Sequence, residues 1–266
     1  MLSKVKKFYR GIVSWVEWAN NRVDLELMEV NLSPIDRHIV YNGIADKHGL
    51  FHPAYAEWRV RRINKMLEIY GFDFFKGKKI LELGAGHADI GAFFAEMGAD
   101  VLCLDGRIQN INFARLKHRK ISNLRFAEWN LEGDFTHFGK FDLIIDFGLI
   151  YHLKDVEEHL RRCFRMSNDI IMETVVCDST DPNTIFYCDE KSEINEEALE
   201  GTGSRPSPFY IERITKENNF EAVRFFTPDL NAGWFYYDWK HKNDNSGRGS
   251  SDFLYRRFWR LKKIEA

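Results

Sequence analysis

The run Ile80-Leu81-Glu82-Leu83-Gly84-Ala85-Gly86 constrains this chain more than any other stretch. A segment that is apolar but for one acid suits a strand buried on both faces of a parallel sheet. Gly84 and Gly86 then let the backbone turn sharply and approach a ligand closely, since neither carries a Cβ. Beyond them Ile90, Phe93, Phe94 and Met97 fall at helical spacing. Strand, glycine turn and helix make a cofactor cradle, and a sheet must be built around it.

A dinucleotide site would extend the glycines to G-x-G-x-x-G, packing the helix tightly on the strand with its N-terminus facing a pyrophosphate. The third position is Asp89, a carboxylate that would lie against those phosphates. A second apolar strand, Asp100 to Gly106, ends in Asp105, roughly twenty positions after the turn, where such folds set a carboxylate on ribose hydroxyls. An acid two residues before G-x-G, followed by a second acidic strand end, resembles the class I S-adenosylmethionine-dependent methyltransferases. Phe141 to Leu153 adds to the resemblance as the fourth strand and its exit, F-D-x-x-x-x-x-G-x-x-x-H-L.

The resemblance implies S-adenosyl-L-methionine as cofactor, bound around Glu82, Gly84, Ala85 and Gly86. Asp105, with Gly106, is the implied ribose ligand. Asn130, beside Leu131, stands where the family usually has an Asp on the adenine amine. The backbone at Asp146 and Phe147 would line the methionine part, and Tyr151 and His152 would face the methyl group. Trp129 either stacks near the ring or belongs to the core. The sulfonium supplies a reactive methyl, so a hydroxyl acceptor needs positioning and a base. His152 is the candidate base, because an imidazole titrates near pH 7. The other reading of His152 is that it caps the strand exit and fixes the loop.

Strands and helices alternating from 80 to 176 predict a doubly wound α/β fold with helices on both faces, and the resemblance implies a seven-stranded, mostly parallel sheet with an antiparallel last strand. The domain so predicted spans 76–266, with a lid-like insertion at 178–208 and an N-terminal helical extension over 1–75. In that extension Leu2, Val5, Phe8, Ile12 and Val16 form a stripe that packs on the domain, mediates self-association as a homo-oligomer, or lies on a membrane surface. A helix around Trp58 carries Arg59, Arg61 and Arg62; Trp58 and Arg59 are candidate substrate contacts, and a solvated face is the competing reading. Ser207-Pro208 predicts a helix start. Arg205, in the returning turn, either clamps an anionic substrate or staples the loop through backbone carbonyls.

With 266 residues, 44% of them hydrophobic, the chain can bury one large core. A net charge of -2 gives no global attraction for nucleic acid. Four cysteines without C-x-x-C spacing read as reduced core residues, which points to the cytoplasm and no structural zinc. No segment reaches the roughly 20 apolar residues of a transmembrane helix, and no ligand set for a catalytic metal stands out. The expected activity is methyl transfer to an oxygen or nitrogen of a saccharide or small metabolite. F-G-x-x-Y-H at Phe147 to His152 is shared with the tRNA wobble-uridine methyl and carboxymethyl transferases, the alternative, with nucleic acid as partner. A non-catalytic cofactor-binding scaffold is the second alternative.

Overall fold

The computed structural model describes residues 55–194, 196–244 and 254–265, and Ala54–Ala266 form one compact unit. Helix α1 (Tyr55–Tyr70) precedes β1 (Lys79–Leu83), α2 (Asp89–Glu96), β2 (Asp100–Asp105), α3 (Ile108–Lys117) and β3 (Leu124–Glu128). The alternation continues through β4 (Leu143–Phe147), α4 (Val156–Met166) and β5 (Asp169–Val175). A hairpin of β6 (Ile185–Asp189) and β7 (Thr202–Pro206) comes before α5 (Pro208–Glu217), β8 (Phe220–Phe225), β9 (Phe235–Tyr236) and β10 (Leu254–Lys263).

The main sheet runs β3-β2-β1-β4-β5-β10-β8. The first five strands are mutually parallel, while β10 is antiparallel to both β5 and β8. This is the doubly wound sheet read from the sequence. The short β9, which the sequence reading missed, pairs with the start of β10. Period-2 alternation divides the core into two layers. Leu81, Leu83, Leu104, Ile144 and Met172 pack toward α4 and α5. Ile80, Val101, Cys103, Ile145 and Ile171 pack toward α1, α2 and α3. Two side-chain caps fix where helices begin: Asp155 accepts from Glu158 N at 3.0 Å ahead of α4, and Ser207 from Tyr210 N at 3.0 Å ahead of α5.

Two sequence expectations need amending. Residues 178–208, read as a lid-like loop, contain the antiparallel β6–β7 hairpin, held by five registered pairs from Ile185↔Pro206 to Asp189↔Thr202. β7 carries glycine, serine and proline, against strand propensity, and β6, Ile-Phe-Tyr-Cys-Asp, leaves Phe186 and Tyr187 exposed, so its burial does not alternate. Helix α1, read as part of an extension ending at 75, belongs to the unit beginning at Ala54, because Trp58, Arg62, Lys65 and Met66 are buried in it. The stripe from Leu2 to Val16 lies outside the described residues, as does the end of the loop read over Lys240 to Ser251.

Candidate active site

β1 runs into a turn at Gly84 and Gly86, whose φ values of +62° and +54° lie in the left-handed region open to glycine. Gly86 N donates to Asp105 Oδ2 at 2.8 Å, and the other oxygen accepts from Arg107 N (2.9 Å) and Asn110 Nδ2 (3.1 Å). The acid at the end of β2 therefore ties the glycine turn to the start of α3. Burial raises its pKa, and the three hydrogen bonds offset only part of that. With one protein donor on Oδ2, that oxygen retains capacity for a ligand hydroxyl. Glu82 Oε2 accepts from Gly91 N at 3.0 Å and Cys103 Sγ at 3.2 Å, which pins α2 over β1. Burial pushes the Glu82 carboxyl up to about 7.

The hairpin's turn, residues 190–201, covers the ends of β2 and β3. Arg107 donates to Ser192 O (2.9 Å) and Glu197 O (3.0 Å). Asn130 Nδ2 donates to Glu200 Oε1 at 2.7 Å while its Oδ1 accepts from Glu132 N. Leu199 lies over Gly106 so closely that a Cβ there would come within 2.9 Å of its Cδ2. Leu131 is buried in the α4-side core. Trp129 packs against His137 and Phe138, with ring centroids 4.6 and 5.6 Å away.

At the exit of β4 the chain's polar groups converge. His152 Nδ1 meets Glu190 Oε2 at 2.6 Å. Glu190 Oε2 also accepts from Ala198 N at 2.7 Å, and its Oε1 accepts from Arg205 Nη2 at 2.9 Å. Arg205 Nη1 donates to the carbonyls of Tyr151 (2.7 Å) and Ser204 (2.8 Å). A Cβ at position 203 would sit 2.3 Å from Glu190 Oε1 and 2.7 Å from the Tyr151 carbonyl, so only glycine lets the hairpin dock this closely. Burial pushes the Glu190 carboxyl up, but the hydrogen bond with His152 and the Arg205 guanidinium outweigh it and hold the carboxyl down at about 2. Burial lowers the His152 pKa below the ordinary imidazole value against the opposing pull of Glu190. An ionised Glu190 at Nδ1 selects the tautomer with Nδ1–H. Nε2, which has no hydrogen-bond partner among the described residues, is then the acceptor.

The predicted site residues thus separate into groups. Glu82, Gly84, Ala85, Gly86, Asp105 and Gly106 gather at the carboxyl ends of β1 and β2. Phe147, Tyr151 and His152 stand at the exit of β4. The Asp146 side chain turns away into α4, where Oδ2 meets His159 Nε2 at 2.7 Å. Burial lowers the His159 pKa, yet Cys163 and Asp146 raise it overall to about 10. Asp146, His159 and Cys163 are the group that could hold a metal ion among the described residues, all three buried, with ligand atoms within 4.8 Å. Of the two readings of Arg205, its contacts are those of the staple: the guanidinium is buried and engaged with Glu190 and two carbonyls. Arg59 forms an ion pair with Asp89 at 3.4 Å, and Lys117 reaches the same carboxylate at 2.5 Å. Asp89, the residue that replaces a third glycine, is thereby neutralised within the protein. Trp58 packs edge-on to Phe147 at 6.4 Å, under the Arg62 guanidinium. Sequence reading gave no role to Glu190, Gly203, Glu173 or Arg256, which no local motif marks.

Comparison with known proteins agrees with this geometry. Residues 81–169 match the model of a family described as a methyltransferase domain. Over 95 residues the chain is 32% identical to ubiquinone biosynthesis O-methyltransferases of Psychrobacter cryohalolentis and Psychrobacter arcticus; the match takes in 34% of this chain and 37% of each relative. The chain therefore spans little more than a third of the curated relatives it matches. Among solved structures, the N-terminal domain of EvdMO1, determined with S-adenosylhomocysteine and D-fucose, superposes with a TM-score of 0.58 at 18% identity, covering 78% of this chain and 83% of that one. Magnesium protoporphyrin IX methyltransferase from Synechocystis, with bound S-adenosylhomocysteine, gives 0.51 at 12% identity over 96% and 100% of the two chains. The toxoflavin-precursor N1-methyltransferase of Burkholderia thailandensis gives 0.51 at 16% identity over 79% of each. These likenesses show the fold. Residues 81–169 thus carry a methyltransferase domain, and the glycine turn, the acidic strand ends and the strand order are those of the class I S-adenosylmethionine-dependent fold.

Proposed function

We propose that the protein transfers the methyl of S-adenosyl-L-methionine to a hydroxyl oxygen of a saccharide or small metabolite, with His152 as the base. The observation that carries this reading is the 2.6 Å contact of His152 Nδ1 with Glu190 at the exit of β4. A methyl acceptor that is a hydroxyl must lose its proton, and a neutral imidazole held in one tautomer by a carboxylate is suited to take it. The depressed pKa of His152 keeps it neutral near pH 7.

In the donor cradle, Asp105 Oδ2 would take a ribose hydroxyl and the Gly84–Gly86 turn would admit the methionine part. When bound, the sulfonium supplies the electrophilic methyl. The protein's share is to hold the acceptor oxygen in line with the S–CH₃ bond, exclude water, and receive the proton at His152 Nε2. The similar proteins include O-methyltransferases of ubiquinone biosynthesis and an N1-methyltransferase determined with 1,6-didemethyltoxoflavin, and EvdMO1 was determined with D-fucose. They support the acceptor class. Among the described residues no helix is long and apolar enough to cross a membrane.

Two variants test the reading. Asp105→Ala should weaken S-adenosylhomocysteine binding, measured calorimetrically, by about tenfold or more, the ~1.4 kcal/mol scale of a hydrogen bond to a charged group. His152→Ala should abolish turnover with cofactor affinity within a few-fold of wild type; retained turnover would leave His152 a purely structural residue.

A further inference from the structure

On the α1 side of the sheet, at the same carboxyl edge, two guanidiniums are buried with one carboxylate. Arg256 Nη1 donates to Glu173 Oε1 at 2.6 Å, and Tyr237 donates its hydroxyl hydrogen to the same oxygen at 2.8 Å. Arg62 lies 3.7 Å from Glu173 Oε2, beyond hydrogen-bond reach, with its guanidinium over the rings of Trp58 (4.0 Å) and Tyr237 (5.0 Å). Four donors, Trp58 Nε1, Arg62 Nε, Arg62 Nη2 and Arg256 Nε, go unused in this buried cluster against a single unused acceptor, Glu173 Oε2. A buried guanidinium N–H without an acceptor is costly, and even with Glu173 Oε2 taken the donors outnumber the acceptors, so the arrangement is incomplete on its own.

The location says what would complete it. Arg256 Nη2 donates to the Tyr151 hydroxyl at 3.2 Å, and Tyr151 is the neighbour of the proposed base. Glu173 pairs in register with Phe147, and Trp58 packs edge-on against Phe147 at the strand exit where the methyl would be presented. Two positive groups against one carboxylate leave one positive charge unmatched. A singly charged anion balances it, whereas a doubly charged phosphate monoester would overshoot. Aromatic rings on several sides disfavour water as the missing partner.

Resting on the acceptor reading above, we propose that Arg62 and Arg256 form a subsite for a carboxylate carried by the methyl acceptor. The substrate class is then a carboxylate-bearing hydroxy compound, such as a uronic acid or a hydroxy acid with an apolar body. Burial, with Arg256 adding to it against Glu173, depresses the Arg62 guanidinium well below its ordinary pKa, a penalty that a bound carboxylate would relieve.

The probes are formate, acetate and benzoate, titrated at constant ionic strength against wild-type protein saturated with S-adenosylhomocysteine and read by calorimetry and thermal melting. Inorganic phosphate and sulfate form the parallel arm. Carboxylates are expected to bind and raise the melting temperature, with phosphate and sulfate at least tenfold weaker. Glu173→Gln removes the internal competitor and should tighten carboxylate binding several-fold; Arg62→Met should weaken it at least tenfold. The absence of a carboxylate response in wild type, equal binding of phosphate, or no tightening in Glu173→Gln would overturn the subsite, even if Arg62→Met fails to fold. Cofactor binding in the same cell separates the two levels: intact S-adenosylhomocysteine binding without a carboxylate response sinks the subsite alone, and loss of both sinks the donor site as well.

Discussion

Glu190 joins more of the acceptor side than any other single residue. One oxygen holds His152, the other holds Arg205, and the backbone N–H of Ala198 closes the set. Its charge raises the His152 pKa against burial. Glu190→Gln should therefore move the acid limb of the kcat pH profile to lower pH while reducing kcat by roughly 10²-fold, the scale of lost base catalysis. An unmoved limb would mean that Glu190 only holds the loop. The stability sign follows from the same carboxyl: its pKa is depressed to about 2, so its contribution is present above the ordinary carboxylate range and is lost as the pH falls through about 2. Arg205→Met takes the guanidinium from Glu190 Oε1 and the donor from the Tyr151 carbonyl; breaking such a buried pair costs about 3–5 kcal/mol, and chemical denaturation should show it.

The hairpin is the element on which the site depends and the one least legible in the sequence. Ile80 to Leu83, Val101 to Leu104, Leu143 to Ile145 and Ile170 to Met172 announce their strands because they are buried on both faces. Thr202-Gly203-Ser204-Arg205-Pro206 does not, because its glycine, serine and proline are held in a strand by the ladder with β6, and its close fit to Glu190 and the exit of β4 is written in no run of consecutive residues. The cofactor turn was legible because its chemistry is written in consecutive residues, while the partner of His152 lies 38 positions away. Asn130 follows the end of β3, and its bond to Glu200 joins it to the predicted insertion over 178–208, a partner no local pattern marks. Replacing residues 191–199 with a short turn removes Leu199 from Gly106 and the carbonyls that hold Arg107. It should weaken S-adenosylhomocysteine binding by about tenfold while leaving the fold intact by circular dichroism, because the turn lies over Gly106 beside the proposed ribose ligand Asp105.

At the scale of the whole molecule, the sheet order brings three sets of groups to one carboxyl edge: the cradle of β1 and β2, the His152–Glu190 pair at β4, and the Arg62–Arg256–Glu173 cluster at β5 and β10. Donor, base and acceptor anchor would then lie in sequence along that edge, which is the arrangement that in-line transfer between two bound molecules requires. A chain of net charge -2 that concentrates buried positive charge at one point is suited to one small anionic partner rather than to a polyanion. The most direct measurement is transfer of a tritiated methyl from S-adenosylmethionine to a cell extract separated into nucleic acid, polysaccharide and small-molecule fractions. Label is expected in the saccharide or small-molecule fraction; label confined to RNA would overturn the proposed acceptor class.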